Sequence, residues 1–142
     1  MGKKRILVID DDIYATRMLK VGLEKAGSFE VREVNRGAEA LAVAQEFQPD
    51  AVLLDVCIPD VEGSEIAFQI RNQPGLHTTP IVFLTGIVSE RELAEKGGFI
   101  GGHRYIAKPV RLERVIAYLE NDLGLRAPDI NSAAVPASSL SP

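Results

Sequence analysis

Apolar residues in this chain gather into short unbroken runs, separated by stretches in which they recur every three or four positions. Residues 6–9 (Ile-Leu-Val-Ile), 51–54 (Ala-Val-Leu-Leu), 81–84 (Ile-Val-Phe-Leu) and 105–107 (Tyr-Ile-Ala) are such runs. Segments of this length without polar alternation are the mark of strands buried on both faces of a parallel sheet. Residues 30–34 are read as a further strand, second in chain order.

Helical spacing fills the intervals. Residues 13–26 carry Met18, Leu19, Val21 and Leu23 at near-helical spacing and stop at Gly27, a suitable residue just past a helix end. Residues 37–47 present Ala38, Leu41, Ala42 and Ala44 as a small-residue packing face, and Pro49 prevents extension. Residues 64–72 place Ile66, Ala67 and Ile70 inward and close at Pro74-Gly75. Ser89-Glu90-Arg91-Glu92 fits a capping box opening a short helix to Lys96. Residues 112–123 form the last helix, with Val115, Ile116 and Leu119 as its inner stripe. Strand and helix alternate five times without internal repeat. The expected fold is therefore α/β, a flavodoxin-like doubly wound (βα)5 three-layer sandwich with a parallel sheet in the order 2-1-3-4-5.

Two departures from regularity stand out. Gly97-Gly98-Phe99-Ile100-Gly101-Gly102 has four glycines in six positions and reads as a loose loop, with Phe99 and Ile100 either plugging the core or exposed to a partner. Residues 124–142 contain Pro, Ser and Ala with no helical or strand period and read as a flexible C-terminal tail or linker stub. Residues 1–123 are the folded domain.

Composition adds bounds. A chain of 142 residues, 46% apolar and 25% charged, suits one soluble domain with a single core. The net charge of −4 and the single short basic run, Lys3-Lys4-Arg5, argue against direct DNA binding. A lone cysteine, Cys57, excludes an intramolecular disulfide and fits a reducing compartment. No apolar stretch approaches the length needed to cross a membrane, so none is expected to be involved, and the cytoplasm is the expected location.

The candidate chemistry lies where the apolar runs end. The first ends in Asp10-Asp11, the next in Asp55, the next in Thr85, and the last in Lys108-Pro109. In an open parallel sheet, groups just beyond the carboxyl ends of strands share one crevice. Three carboxylates, a hydroxyl and an ammonium are thus expected to meet. Two carboxylates about 4 Å apart repel by roughly 4 kcal/mol at an effective dielectric near 20, so three need a cation or a raised pKa. With oxygen donors alone and no His or Cys ligands, Mg²⁺ suits the cluster better than Zn²⁺.

The order Asp10-Asp11, Asp55, Thr85, Lys108, with Pro59 and Gly63 following Asp55 as D-x-x-x-P-x-x-x-G, resembles the receiver domain of two-component response regulators, of the single-domain, chemotaxis-regulator-like kind. The resemblance implies that Asp55 is the phosphoacceptor and Asp11 a direct Mg²⁺ ligand. Asp10 would act largely through water, and the backbone carbonyl of Cys57 would complete the coordination. Thr85 and Lys108 would contact the phosphoryl group, and Tyr105 would be the aromatic switch that follows Thr85. The phosphoryl donor would be a sensor histidine kinase or a phosphotransfer protein. The output would be an unknown partner protein met through the helix four–strand five–helix five face, with a homodimer left open. Such a receiver is a signalling module and not an enzyme, catalysing only its own phosphorylation and dephosphorylation. Cys57 and Ile87 fall where the family flanks the hydrolytic water.

Rival readings have weaker support in the residues. A haloacid-dehalogenase-type aspartyl-phosphate phosphatase needs an acid two residues after its nucleophile, where Cys57 stands. A flavodoxin-like electron carrier needs a phosphate-cradling loop where Asp10-Asp11-Asp12 would repel a flavin phosphate. A degenerate receiver acting only by binding would not need the complete acceptor set. Asp12 and Asp60 fit cap or loop roles, and His77 and His103 fit exposed loops.

Overall fold

A computed structural model describes residues 2–125. Strands β1 (Lys4–Ile9), β2 (Phe29–Val34), β3 (Ala51–Asp55) and β4 (Ile81–Thr85) alternate with helices α1 (Ile13–Lys25), α2 (Ala40–Phe47) and α3 (Gly63–Arg71). After β4 come α4 (Glu90–Glu95), β5 (Phe99–Ile100), β6 (His103–Ala107) and α5 (Leu112–Ala117). The sheet order is β2-β1-β3-β4-β6-β5, parallel except for the β5–β6 pair. Without the short edge strand β5, this is the expected 2-1-3-4-5 arrangement.

The two faces of the sheet bury separate clusters, as the unbroken apolar runs require. Leu7, Ile9, Val52 and Leu54 pack beneath α2 and α3, with Ala44, Ile66 and Ile70. Ile6, Val8, Leu53 and Leu84 pack against Leu19 and Leu23 of α1 and Val115 and Leu119 near the C-terminal end. All four residues of the first run are fully buried.

Helix ends follow the sequence signals. Asp12 caps α1 by accepting from the backbone N–H groups of Tyr14 and Ala15, and Gly27 follows with φ of 97°. The Ser89 capping box is formed reciprocally with Glu92. Asp60 accepts from the N–H groups of Gly37 and Ala38, at 3.0 Å each, and so satisfies orphan donors ahead of α2.

The structure corrects three details. The glycine-rich segment is not a loose loop, because Phe99 and Ile100 pair antiparallel with Arg104 and His103 as an edge hairpin. Its two-residue turn, Gly101-Gly102, has φ of 57° and 84°, a geometry reserved almost entirely for glycine. Of the two alternatives for Phe99, it does not plug the core but is exposed; the Arg104 guanidinium lies over its ring at 5.3 Å and over that of Tyr118 at 4.7 Å. Residues 37–39 form a 3₁₀ turn before α2, and the last helix becomes π-helical over Tyr118–Asp122. His103 belongs to β6, where it meets the ring of Phe83 edge-on.

Gly124 and Leu125 are described, and the backbone N–H of Leu125 donates to the Leu119 carbonyl at 2.8 Å. The expected tail at 126–142 lies outside the described residues.

Candidate functional site

Strands β1, β3, β4 and β6 deliver the candidate side chains to one end of the sheet. Asp10 follows β1, Asp55 and Thr85 end β3 and β4, and Lys108 follows β6. In-register parallel pairing brings these ends level: Ile9 pairs with Leu54, Asp55 with Leu84, and Thr85 with Ala107. Side chains distant in sequence thus converge without any loop reaching across.

Asp10, Asp55 and Thr85 are buried, whereas Asp11 is exposed. Asp10, Asp11 and Asp55 each offer a carboxylate oxygen, and these atoms lie within 4.8 Å of one another. The Lys108 ammonium bridges two of the acids, 3.0 Å from Asp55 Oδ1 and 3.2 Å from Asp10 Oδ2. Among the described residues it is the only cation paired with either acid. The cluster therefore already holds one positive charge, and its all-oxygen donor set could hold a hard divalent cation.

The electrostatics follow from burial. Desolvation raises the Asp10 carboxyl above the ordinary value of 3.8; the Asp12 N–H opposes the shift, the Asp55 charge adds to it, and Lys108 opposes it. Burial alone would lower the Lys108 pKa, but its hydrogen bond to Asp55 and the charges of Asp10 and Asp55 outweigh burial and raise it. A carboxyl whose folded pKa is raised favours folding when protonated. That advantage fades as pH climbs from the ordinary value through the raised one. At neutral pH the ionised Asp10 therefore weakens the metal-free fold. Asp10→Asn is expected to stabilise the chelator-treated protein at pH 7, a gain that vanishes as pH falls below the ordinary carboxyl value of 3.8. Thermal unfolding in EDTA across that range would show it, and a lower melting temperature at pH 7 would contradict it.

The remaining contacts fix orientation. Thr85 Oγ1 accepts from the Ile87 N–H at 3.1 Å, which leaves its own proton free to donate. The Cys57 N–H points at Asp55 Oδ1 from 3.4 Å, a long contact on the flank of that carboxylate. A side chain at Gly63 would place its Cβ 2.9 Å from the Asp55 carbonyl oxygen, so α3 begins against the end of β3 only because no side chain intervenes. Lys108 N donates to the Thr85 carbonyl at 2.7 Å, and the Lys108–Pro109 peptide is cis. Tyr105 is half-buried against the core, its ring 5.3 Å from that of Phe83.

Two supports escaped the sequence reading. Asn35 donates through Nδ2 to the Asp10 carbonyl at 2.7 Å and to Thr16 Oγ1 at 3.0 Å, latching the end of β1 to β2 and α1. The signal available was an amide directly after a strand, together with one hydroxyl on the inward face of α1.

Comparison with known proteins agrees with this geometry. The sequence profile of the response regulator receiver domain matches residues 6–120. The DNA-binding dual master transcriptional regulator RpaA of Synechocystis sp. is 30% identical over 113 residues, covering 80% of this chain and 46% of that protein. Staphylococcus aureus SrrA, a transcriptional regulatory protein, is 35% identical over 111 residues, covering 78% of this chain and 44% of that protein. The chain spans less than half the length of these curated relatives. Among solved structures, the chemotaxis protein CheY4 of Vibrio cholerae aligns with a TM-score of 0.71 at 31% identity, covering 84% of this chain and 98% of its own. A putative response regulator from Chloroflexus aurantiacus aligns at 0.72 and 32% identity, covering 87% and 99%.

Proposed function

The chain belongs to the response regulator receiver domain family, and from that premise we propose that it accepts a phosphoryl group on Asp55 and signals by a changed protein contact. The donor is a phosphohistidine on a sensor histidine kinase or a phosphotransfer protein, and the setting is the cytoplasm. The observation that carries this reading is the bridging ammonium of Lys108, within 3.2 Å of both Asp10 and Asp55 beside an exposed Asp11. A buried acid pair arranged around a partly exposed cation suits a site that must take up a further negative group.

Asp55 attacks phosphorus through a carboxylate oxygen; the O–P bond forms as the P–N bond breaks, and the imidazole leaves with that electron pair. Asp10, Asp11, Asp55 and the Cys57 carbonyl would hold Mg²⁺, Asp11 directly and Asp10 largely through water. Bound there, Mg²⁺ neutralises charge between the carboxylates and the incoming phosphate. Lys108 exchanges its contact with Asp55 for a phosphoryl oxygen. Thr85 donates its free proton to another, and the Cys57 N–H is placed to assist. The pull on Thr85 is transmitted to Tyr105, one position before the Ile106 that pairs with Leu84. The output surface lies on α4, β6 and α5. RpaA and SrrA are named as transcriptional regulators, but this chain matches less than half of each, so its own output is read as a protein contact.

The test is direct: with Mg²⁺ and a small acyl- or amidophosphate, intact mass should show one added phosphoryl group, and no addition would overturn the reading.

Persistence of the signal follows from two side chains. Cys57 and Ile87 flank the acceptor loops, Ile87 being 79% exposed, and neither can orient water as an amide or carboxylate would. A Cys57→Asn, Ile87→Glu double variant is expected to lose its phosphoryl group at least about tenfold faster, since about 1.4 kcal/mol of barrier corresponds to tenfold in rate. Equal decay of the two phosphorylated proteins would show that these positions do not set the lifetime.

A further inference from the structure

An apolar groove of about 770 Å³ opens between α3 and the β4–β6 side of the sheet. Ile58, Ala67, Phe83 and Tyr105 contribute to its walls, with Phe68 along its edge, 64% exposed. Helix α4 leaves it open: Glu90 is ion-paired to Arg111 and Arg114 at the α5 end, and no α4 residue lines the groove. Glu62 and Arg71, both groove-lining, stand at opposite ends of α3, and among the described residues neither makes an intramolecular ion pair.

The pattern is symmetric about its centre. The groove-facing positions of α3 are Ser64, Ala67, Phe68 and Arg71, spaced as one helical face. Laying a second α3 antiparallel across a two-fold axis level with the Ile66–Ala67 step sets Glu62 opposite Arg71 at both ends and brings Phe68 close to Ser64 on both sides. Ser64, exposed on that face, is small enough to let the helices approach while each Phe68 enters the other groove. A C2 interface must be self-complementary, and opposite charges at its two ends fix both orientation and register. An unrelated partner would need no such mirrored order.

We propose that two copies of this chain associate through α3, with Phe68 of each copy seated in the groove of the other and Glu62–Arg71 ion pairs closing both ends. The surface shares Tyr105 of β6 with the proposed output face but includes no residue of α4 or α5, and none of its side chains belongs to the carboxylate cluster.

The test is analytical ultracentrifugation of the full chain between about 1 and 500 μM. Concentration-dependent dimerisation is expected. Phe68→Glu should weaken it at least about a hundredfold, by placing a charge in an apolar seat. Arg71→Glu and Glu62→Arg should each weaken it about tenfold, and the double variant Glu62→Arg, Arg71→Glu should recover it, because both pairs are re-formed with reversed sign. Circular dichroism and acyl-phosphate labelling of each variant keep misfolding apart from lost association. A chain monomeric throughout, a dimer indifferent to Phe68→Glu, or single charge variants not rescued by the double would each overturn the proposal.

Discussion

Asp55→Asn protein incubated with Mg²⁺ and a small amidophosphate is expected to take up no phosphoryl group, while the native chain takes up one. The amide keeps the shape of the carboxylate and can still accept the N–H of Cys57, now 3.4 Å from Asp55 Oδ1. What it loses is the negative, nucleophilic oxygen that must form the bond to phosphorus. Asp10 and Asp11 remain within reach, so labelling of the variant at the native rate would assign the acceptor role to one of them. The fold should survive. Asp55 is 5% exposed and its charge is matched by Lys108, which keeps Asp10 as a partner after the substitution. Circular dichroism and thermal unfolding of the same preparation separate loss of chemistry from loss of structure.

Lys108→Ala is expected to damage both the resting protein and the reaction. It removes the ammonium that sits 3.0 Å from Asp55 and 3.2 Å from Asp10, leaving two buried carboxylates facing each other. Truncating one member of a fully buried ion pair costs about 3–5 kcal/mol. The Lys108 side chain is 31% exposed, so screening reduces the expected loss to about 1–3 kcal/mol. Its pKa is raised in the folded state, so its stabilisation is complete below the ordinary 10.5 and disappears only as pH rises through the folded value. At pH 7 in EDTA the whole loss should therefore be visible by urea unfolding. It should shrink in millimolar Mg²⁺, which supplies the missing positive charge. Phosphorylation should slow by about 100- to 1000-fold, the scale set by one lost donor to a developing charge. A variant as stable as the native chain in EDTA would show that the bridge does not compensate the acids.

Strand positions were legible because burial on both faces leaves no alternation, and residues 6–9, 51–54 and 81–84 are buried as that pattern requires. The strand ends were legible for the same reason, since each apolar run stops at a polar residue that the sheet cannot absorb. Caps were readable wherever the chemistry is local, as at Asp12 and in the Ser89–Glu92 box. The convergence of Asp10, Asp11, Asp55, Thr85 and Lys108 could be inferred from strand order, because parallel register levels the strand ends.

Other features depend on packing between distant segments. The hairpin at β5–β6 forms where four glycines suggested looseness, because their positive φ angles make a tight turn and Arg104 clamps Phe99 over Tyr118. The Asn35 latch joins residues 19 and 25 positions apart, a separation at which no local pattern exists to be read. The bridging geometry of Lys108, the tie of α4 to α5 through Glu90 and the groove beside α3 likewise depend on how helices settle on the sheet. Sequence by itself determined the layers, the strand ends and the chemical types gathered there, because burial and capping are local demands on each residue. Only the tertiary structure decided which charges touch, which are buried and which apolar faces stay open, because those follow from the distances between elements.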